Sequence, residues 1–300
     1  MIVQLDNCPF CKSETIANHL QVKDFSISKE EFKLSKCSEC GLIFTNPRPD
    51  NQSIGKYYDS PDYISHSDSD SGIVNKIYKR VRGISIKDKF KEVNRFAGKN
   101  YPFKLLDIGC GTGSFLAYCK ENGVLCTGIE PNEGARTIAK EKHGLSAYNS
   151  DHLFQVEGDS LDVITMWHVL EHVDNLNEYI SKLHYILKPG GYCFIAVPNP
   201  TSYDAIKYGA FWAAYDVPRH LSHFAPATIK KMFQTFDFKI VKSIPMKWDA
   251  YYISLLSEKY KRDNASAVAT FLSAIVNGFL SNIKAGSADK YSSVIYVFQK

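Results

Sequence analysis

Three glycines and two acids near the middle of the chain have the types and spacing to hold a nucleoside that carries no phosphate. The run Leu105-Leu-Asp-Ile-Gly-Cys-Gly-Thr-Gly-Ser-Phe115 sets Gly109, Gly111 and Gly113 directly after an apolar stretch. Glycines at that point let the backbone pass close to a ligand at the carboxyl ends of parallel strands. A dinucleotide fingerprint asks for glycine or alanine at position 114, where Ser114 stands. Asp107, just ahead of the loop, would repel a pyrophosphate but suits the ammonium of an amino-acid group. Glu130, at the tip of the next apolar run, can accept from both hydroxyls of a ribose. Taken together, the two acids describe an adenosyl ligand joined to an amino acid.

A second set of residues points to a metal. Cys8-Pro-Phe-Cys11 and Cys37-Ser-Glu-Cys40 form two CxxC turns, the second followed by Gly41. Two residues between cysteines let both thiolates of a tight turn face one tetrahedral ion, and two such turns complete a four-sulfur shell. The spacing therefore predicts structural Zn2+ on Cys8, Cys11, Cys37 and Cys40. A four-thiolate site has no open coordination position, so its part is to brace the fold or help recognise a substrate, not to catalyse. Accidental pairing and a redox dithiol are the alternatives, and neither pair lies beside the βαβ unit that redox motifs use. Cys110, Cys119, Cys126 and Cys193 sit in apolar surroundings and read as small buried hydrophobes.

Elements in a regular order must position these groups. Apolar runs at Phe103–Ile108, Val124–Ile129, Leu145–Tyr148, Leu161–Met166 and Tyr192–Val197 alternate with helical stretches at Ser114–Asn122, Asn132–His143 and Asn175–Leu187. Such alternation predicts a mostly parallel sheet covered on both faces. Late strands are expected at Phe238–Ile244 and Ser292–Phe298. Before the sheet, residues 1–50 read as the zinc ribbon, with a strand over Glu31–Ser35 and a proline-rich stop at Thr45-Asn-Pro-Arg-Pro-Asp50. Residues 51–98 read as a linker: a loop rich in Ser, Asp and Tyr over 57–72, then one or two amphipathic helices over 73–96. The remaining 99–300 form the main domain. Apolar content of 44% and charged content of 23% are ordinary globular values, and the net charge of +4 is spread without a basic block. That distribution counts against non-specific nucleic-acid binding. The first residues carry no secretory signature, so a cytoplasmic protein with reduced thiols is expected.

The segments LDIGCGTGSF, GIEPN, DVITMWHVLEHV and LKPGGY resemble the successive motifs of class I S-adenosylmethionine-dependent methyltransferases, over roughly residues 103–300. The resemblance implies a Rossmann-like α/β fold with a seven-stranded sheet whose last two strands are its antiparallel pair. It implies that Asp107, Gly109 and Gly111 hold the methionine part of the cofactor and Glu130 the ribose, with Gly113 and Pro131 also at the cofactor. Ser150 or Asp151 would lie near the adenine, and Trp167 and His168 would flank the cofactor. A cysteine-rich ribbon ahead of such a domain also resembles sugar C-methyltransferases and certain bacterial ribosomal RNA methyltransferases.

In that family the loop over 199–226 covers the acceptor, and here it contains FWAAYDVPRHLSHFAP, similar to a PRHL-x-HF signature of small-molecule methyltransferases. Phe211, Trp212 and Tyr215 offer flat surface, or else a lid packed on the core. Asp216, Arg219, His220 and His223 offer polar contacts. An oxygen acceptor must lose a proton, and histidine is suited to take it near neutral pH, so His168, His220 and His223 are the candidate bases. Their other reading is structural: His168 and His172 satisfying backbone groups in a turn, His223 capping the following helix or filling the core boundary. The expected acceptor is a small molecule or saccharide. An RNA methyltransferase and a non-catalytic S-adenosylmethionine-binding module are carried as alternatives. The insertion over 245–291 contains an uncharged run over 264–283. Ser266, Thr270, Ser273, Asn277 and Ser281 share one helical face, and Val268, Phe271, Leu272, Ile275, Phe279 and Leu280 the other. Its apolar face is expected to pack on the domain itself or on a second copy, and less often to rest peripherally on a membrane.

Overall fold

A computed structural model of the 300-residue chain describes residues 1–58, 73–98, 101–262 and 266–300, with side chains from residue 80 onward in the second stretch. The loop expected over 57–72 lies almost wholly outside the described residues. The chain opens with β1 (Ile2–Val3), β2 (Ile16–Lys23), β3 (Glu31–Cys37), β4 (Ile43–Thr45) and β5 (Arg48–Pro49). β2, β3 and β4 form an antiparallel sheet, and β1 pairs with β5. Helix α1 (Ile73–Ala97) follows as one continuous helix. The main body then runs β6 (Lys104–Ile108), α2 (Ser114–Glu121), β7 (Leu125–Ile129), α3 (Glu133–His143), β8 (Ala147–Tyr148), α4 (His152–Gln155), β9 (Leu161–Trp167), α5 (Leu176–Ile186) and β10 (Leu187–Pro198). It finishes with α6 (Tyr203–Tyr208), β11 (Ser222–His223), α7 (Pro226–Gln234), β12 (Lys239–Pro245), α8 (Asp249–Lys261), α9 (Ala267–Lys284) and β13 (Ser293–Gln299).

The main sheet has seven strands in the order β12-β13-β10-β9-β6-β7-β8, parallel except for β13, which is antiparallel to both its neighbours. This is the Rossmann-like α/β sheet that the motifs imply. The chain departs from β6 to β7 on one side, then returns to β9 on the other. The crevice at the carboxyl end of β6 is therefore the topological switch point where such sheets bind ligands. Val93, Ala97, Phe115, Leu116, Phe194 and Val297 fill the core on one face. On the other face, Ile164, Met166, Leu183, Phe233 and Phe298 form one continuous cluster with Cys8, Cys37, Cys40 and Phe44 of the N-terminal segment.

That N-terminal sheet is not self-contained. Its edge strand is β11, from the loop over 199–226, which pairs antiparallel with β4 through Ser222–Phe44 and His223–Ile43. Thr45 extends the junction: its amide donates to the Leu221 carbonyl at 3.0 Å, and its hydroxyl to the His220 carbonyl at 2.7 Å. The four-cysteine segment and the expected acceptor loop are thus parts of one sheet.

Helix α9 corrects one expectation. Its two faces are as the periodicity predicts, but it is the polar one that packs on the body: Thr270, Asn277 and Ser281 are buried. Val268, Phe271, Leu272, Ile275, Val276, Phe279 and Ile283 stay exposed, so the apolar face does not pack on its own domain. The cause is a pair of buried acids. Ser281 donates to Asp204 at 2.7 Å and Asn277 to Glu258 at 2.7 Å, and Gly278 lets α9 lie directly against Tyr251 of α8. A buried carboxylate without partners costs several kcal/mol. The polar stripe answers that demand. By length and composition alone, α9 is apolar enough to cross a membrane.

Candidate active site

The loop after β6 is built for close approach. Gly109, Gly111 and Gly113 have φ of 73°, 54° and 80°, in the left-handed region that side chains disfavour. A Cβ on Gly113 would meet Leu145 Cδ1 at 2.5 Å, so that glycine seats α2 against the β7–β8 side of the sheet. Nothing lies within 4 Å of a Cβ on Gly111, so its open side faces the crevice. Glu130, at the end of β7, fixes this loop: Oε2 accepts from the Gly111 amide at 2.9 Å, and Oε1 from the Asn132 amide at 2.9 Å. A carboxylate has about four acceptor sites, so lone pairs remain for a ribose. Pro131, Ser150 and Asp151 lie exposed beyond the ends of β7 and β8.

Asp107 is buried at the floor of the crevice, where it accepts from Thr165 Oγ1 at 2.6 Å. Burial pushes its carboxyl up to about 7, against the pull of that hydrogen bond and of Lys89. Two cations from α1 reach this end of the sheet, and the motifs gave no sign of them. Lys89 Nζ stands 4.6 Å from the centre of the Trp167 ring, and Arg82 donates to Ser114 Oγ at 2.9 Å. Trp167 packs edge-on against Phe115, and its indole N–H is buried without a hydrogen-bond partner among the described residues.

His168 follows Trp167 with φ of 60°, an unfavourable backbone conformation held by two acids. Its Nε2 lies 3.0 Å from Asp249 of α8, and its Nδ1 lies 3.3 Å from Glu171. Burial opposes its charge, but hydrogen bonds to Asp249 and Glu171 outweigh it and raise the ring to about 9. A folded-state value above the unfolded 6.5 gives stability that is complete below that pH and lost as pH rises through about 9. The melting-temperature gap between wild type and His168→Gln is therefore expected to be wide near about pH 6 and closed by about pH 10. A gap that does not change with pH would remove the ion pairs from this account.

The loop over 199–226 is more structural than its residue types suggest. Trp212 and Tyr215 are core residues, with the indole donating to Asp204 at 2.8 Å, and only Phe211 of the three aromatics is partly exposed. Arg219 is fully buried in a clamp, donating to Asp24 of the N-terminal segment at 2.9 Å and to Asp216 at 2.6 Å. His223 sits in β11, buried against Tyr215, and burial holds it well below its ordinary value. His220 is brought instead to the turn after β9. Its ring lies edge-on to His172 at 4.7 Å, and its Nδ1 is 2.9 Å from the Ala214 carbonyl. Burial, with His172 beside it, lowers His220 to about 4, so the ring is neutral near pH 7. The structure thus brings His168, His172, His220 and Glu171 together at the carboxyl end of β9, with the His223 ring 6.2 Å from that of His220 and buried in β11.

The four cysteines converge across the N-terminal sheet. Cys8 and Cys40 sulfurs are 3.6 Å apart, those of Cys11 and Cys37 are 3.5 Å apart, and all four lie within 4.8 Å of one another. Sulfurs held about 2.3 Å from a tetrahedral zinc ion stand roughly 3.8 Å apart, so the donor set fits that ion. The hydrogen bond from Cys40 holds the Cys8 thiol down to about 5, and the same bond pushes Cys40 up. Thr228 of α7 donates to the Cys40 carbonyl at 3.2 Å, which ties the cluster to the main body.

The family profile described as a methyltransferase domain matches residues 81–243. The chain is 30% identical over 164 residues to the ubiquinone biosynthesis O-methyltransferase of Rickettsia prowazekii, covering 51% of this chain and 62% of that protein. It is 32% identical over 130 residues to the protein of the same name from Ruegeria pomeroyi, covering 40% and 52%. The matches thus span between about half and two thirds of these relatives' length. Among solved structures, magnesium protoporphyrin IX methyltransferase from Synechocystis PCC 6803 with bound SAH superposes with a TM-score of 0.55 at 16% identity, covering 84% of this chain and 100% of that one. A SAM-dependent methyltransferase from Archaeoglobus fulgidus gives 0.51 at 22% identity, covering 76% and 100%. At these identities the two structures speak for the fold alone.

Proposed function

The chain belongs to the methyltransferase-domain family and has a class I fold, and on that premise we propose that it is an S-adenosylmethionine-dependent methyltransferase that methylates a small-molecule acceptor, a hydroxylated compound or saccharide, held between the ends of β6 and β9 and the loop over 199–226. The observation that carries this reading is the crevice at the switch point. Its open glycine loop is fastened to Glu130 on one side, and on the other, at the end of β9, Glu171 and His172 stand with His220 of the 199–226 loop. The relatives named for ubiquinone biosynthesis support a small oxygen acceptor.

S-adenosylmethionine, when bound, supplies a methyl group on a positively charged sulfur, already activated for transfer. Asp107, Gly109, Gly111 and Gly113 would hold its amino-acid part, with Arg82 and Lys89 supplying the positive charge that a carboxylate needs and that the two acids cannot give. Glu130 and Pro131 would meet the ribose, Ser150 or Asp151 the adenine, and Trp167 and His168 the remaining wall. The chain's contribution to rate is placement, since in-line displacement is fastest when donor and acceptor are held close and collinear. The acceptor hydroxyl would lose its proton at the cluster of Glu171, His172 and His220. His220 there is neutral, whereas His168 is held as a cation and His223 is buried within β11. The four cysteines would hold structural zinc and keep the sheet that carries His220 in place.

Incubating the protein with S-adenosylmethionine labelled in the methyl group and a panel of hydroxylated small molecules, sugars and RNA tests the reading. Label is expected in a small-molecule product and lost with His220→Ala. Label confined to RNA, or cofactor binding with no turnover on any acceptor, would overturn it.

A further inference from the structure

The turn after β9 and the loop over 199–226 meet at a cluster of lone-pair donors. Glu171 and His172 come from the turn Leu170–His172, and His220 comes from the loop. One ligand atom of each, a carboxylate oxygen and a ring nitrogen from both histidines, lie within 4.8 Å of one another. Both rings are fixed from behind. His220 Nδ1 is 2.9 Å from the Ala214 carbonyl and His172 Nδ1 is 2.9 Å from the Arg219 carbonyl. The Tyr58 hydroxyl also lies 2.9 Å from His172 Nδ1, where its oxygen can share the same proton. A carbonyl only accepts, so each Nδ1 carries a proton, which leaves Nε2 of each ring to present its lone pair. Bonding the second ring nitrogen to a carbonyl is how ligating histidines are oriented in metal sites.

Glu171 completes the set. It is 1% exposed, gives Oε1 to His168 at 3.3 Å, and leaves Oε2 buried with no hydrogen-bond partner among the described residues. An orphaned carboxylate oxygen is costly in a protein interior and calls for a positive group. Neither imidazole comes close enough to supply one, so the gap is wider than a hydrogen bond. Donors held about 2.0–2.2 Å from one ion stand roughly 3–4 Å apart, a spacing that this cluster can reach. Asp216 lies at its edge, with Oδ2 3.9 Å from His220 Nε2.

We propose that Glu171, His172 and His220 bind a divalent cation separate from the four-cysteine site. Two imidazoles and a carboxylate favour a borderline first-row ion such as Zn2+ or Co2+ over Mg2+ or Ca2+. Three protein donors leave coordination positions for an oxygen ligand, water or a hydroxyl of the acceptor. That last assignment rests on the reading of this loop as the acceptor side, whereas the binding of the ion does not.

The test is metal content per chain, measured by mass spectrometry on the full-length protein loaded with Zn2+ and desalted, for wild type, Glu171→Gln and His220→Gln. Wild type is expected to hold one metal equivalent more than either variant, with the sulfur-bound equivalent kept in all three. Because either variant could unfold locally, long-range proton–nitrogen spectra of the wild-type histidines supply a second readout. Addition of Zn2+ should move Nε2 of His172 and His220 and leave their Nδ1 protons in place. Equal metal content in the three proteins, or Nε2 resonances that ignore Zn2+, would overturn the site. Loss of the extra ion from both variants with methyl transfer intact would keep the site and overturn its assignment to the acceptor.

Discussion

Replacing Glu130 by alanine is expected to raise the Kd for S-adenosylmethionine by about ten- to a hundredfold, since each hydrogen bond to a charged group contributes roughly 1.5–3 kcal/mol. The size of the effect comes from two losses at one residue. The ribose hydroxyls lose their acceptor, and the Gly111 and Asn132 amides lose the carboxylate that now fixes the loop at 2.9 Å from each. Glu130→Gln should cost nearly as much. Its amide nitrogen must face a backbone N–H that already donates, so one side of the clamp becomes donor against donor. Titration calorimetry of the three proteins measures this directly. A Kd unchanged in Glu130→Ala would mean that the cofactor does not use the end of β7.

Cys40→Ser should be the most damaging single change outside the crevice. With zinc held by the four cysteines as proposed, its loss belongs to the class of substitutions that cost about 3–5 kcal/mol. In a chain of this size that lowers the melting temperature by roughly 10 °C. The neighbourhood argues for the upper end: Cys8, Cys37 and Cys40 belong to the same apolar cluster as Met166, Phe233 and Phe298. Methyl transfer should fall even at temperatures where the variant is folded, because β4 is the strand on which β11 is laid. Metal analysis, a thermal melt and a turnover assay on one preparation check all three statements. A variant that keeps its metal, or that loses it and melts like wild type, would detach the cysteines from stability.

The parallel strands were legible because each is a short apolar run between helices of the right length. The expected stretches at Leu161–Met166 and Ser292–Phe298 agree with β9 and β13 to within a residue at each end. LKPGGY was harder: it reads as the stop after a helix, yet Leu187 already pairs with Leu161, and β10 begins there with an irregular register. That the glycine loop and Glu130 meet was legible for a related reason, since they lie within about thirty residues of one another. The packing of the loop over 199–226 was not. Arg219 looks like a surface contact until Asp24, 195 residues away, is found against it. Trp212 and Tyr215 look like a substrate platform until Asp204 and the N-terminal sheet enclose them. In α9 the periodicity gave both faces correctly, but which one turns inward is decided by Asp204 and Glu258, and no pattern within the helix contains them. Lys89, Arg82 and Asp249 were missed for the same cause: nothing local marks a charge that another element will recruit.

The pairing of β11 with β4 has a consequence for how specificity can change. A loop grafted from a relative onto residues 199–226 would bring a foreign edge strand, a foreign partner for the Thr45 hydroxyl and no match for Asp24. On the proposed reading of that loop, the inheritable unit of acceptor choice is discontinuous, one half near the amino terminus and the other far along the chain. Recombination that breaks between them separates a lock from its keyhole plate. Chimeras that exchange both segments together should fold, and those that exchange either alone should not.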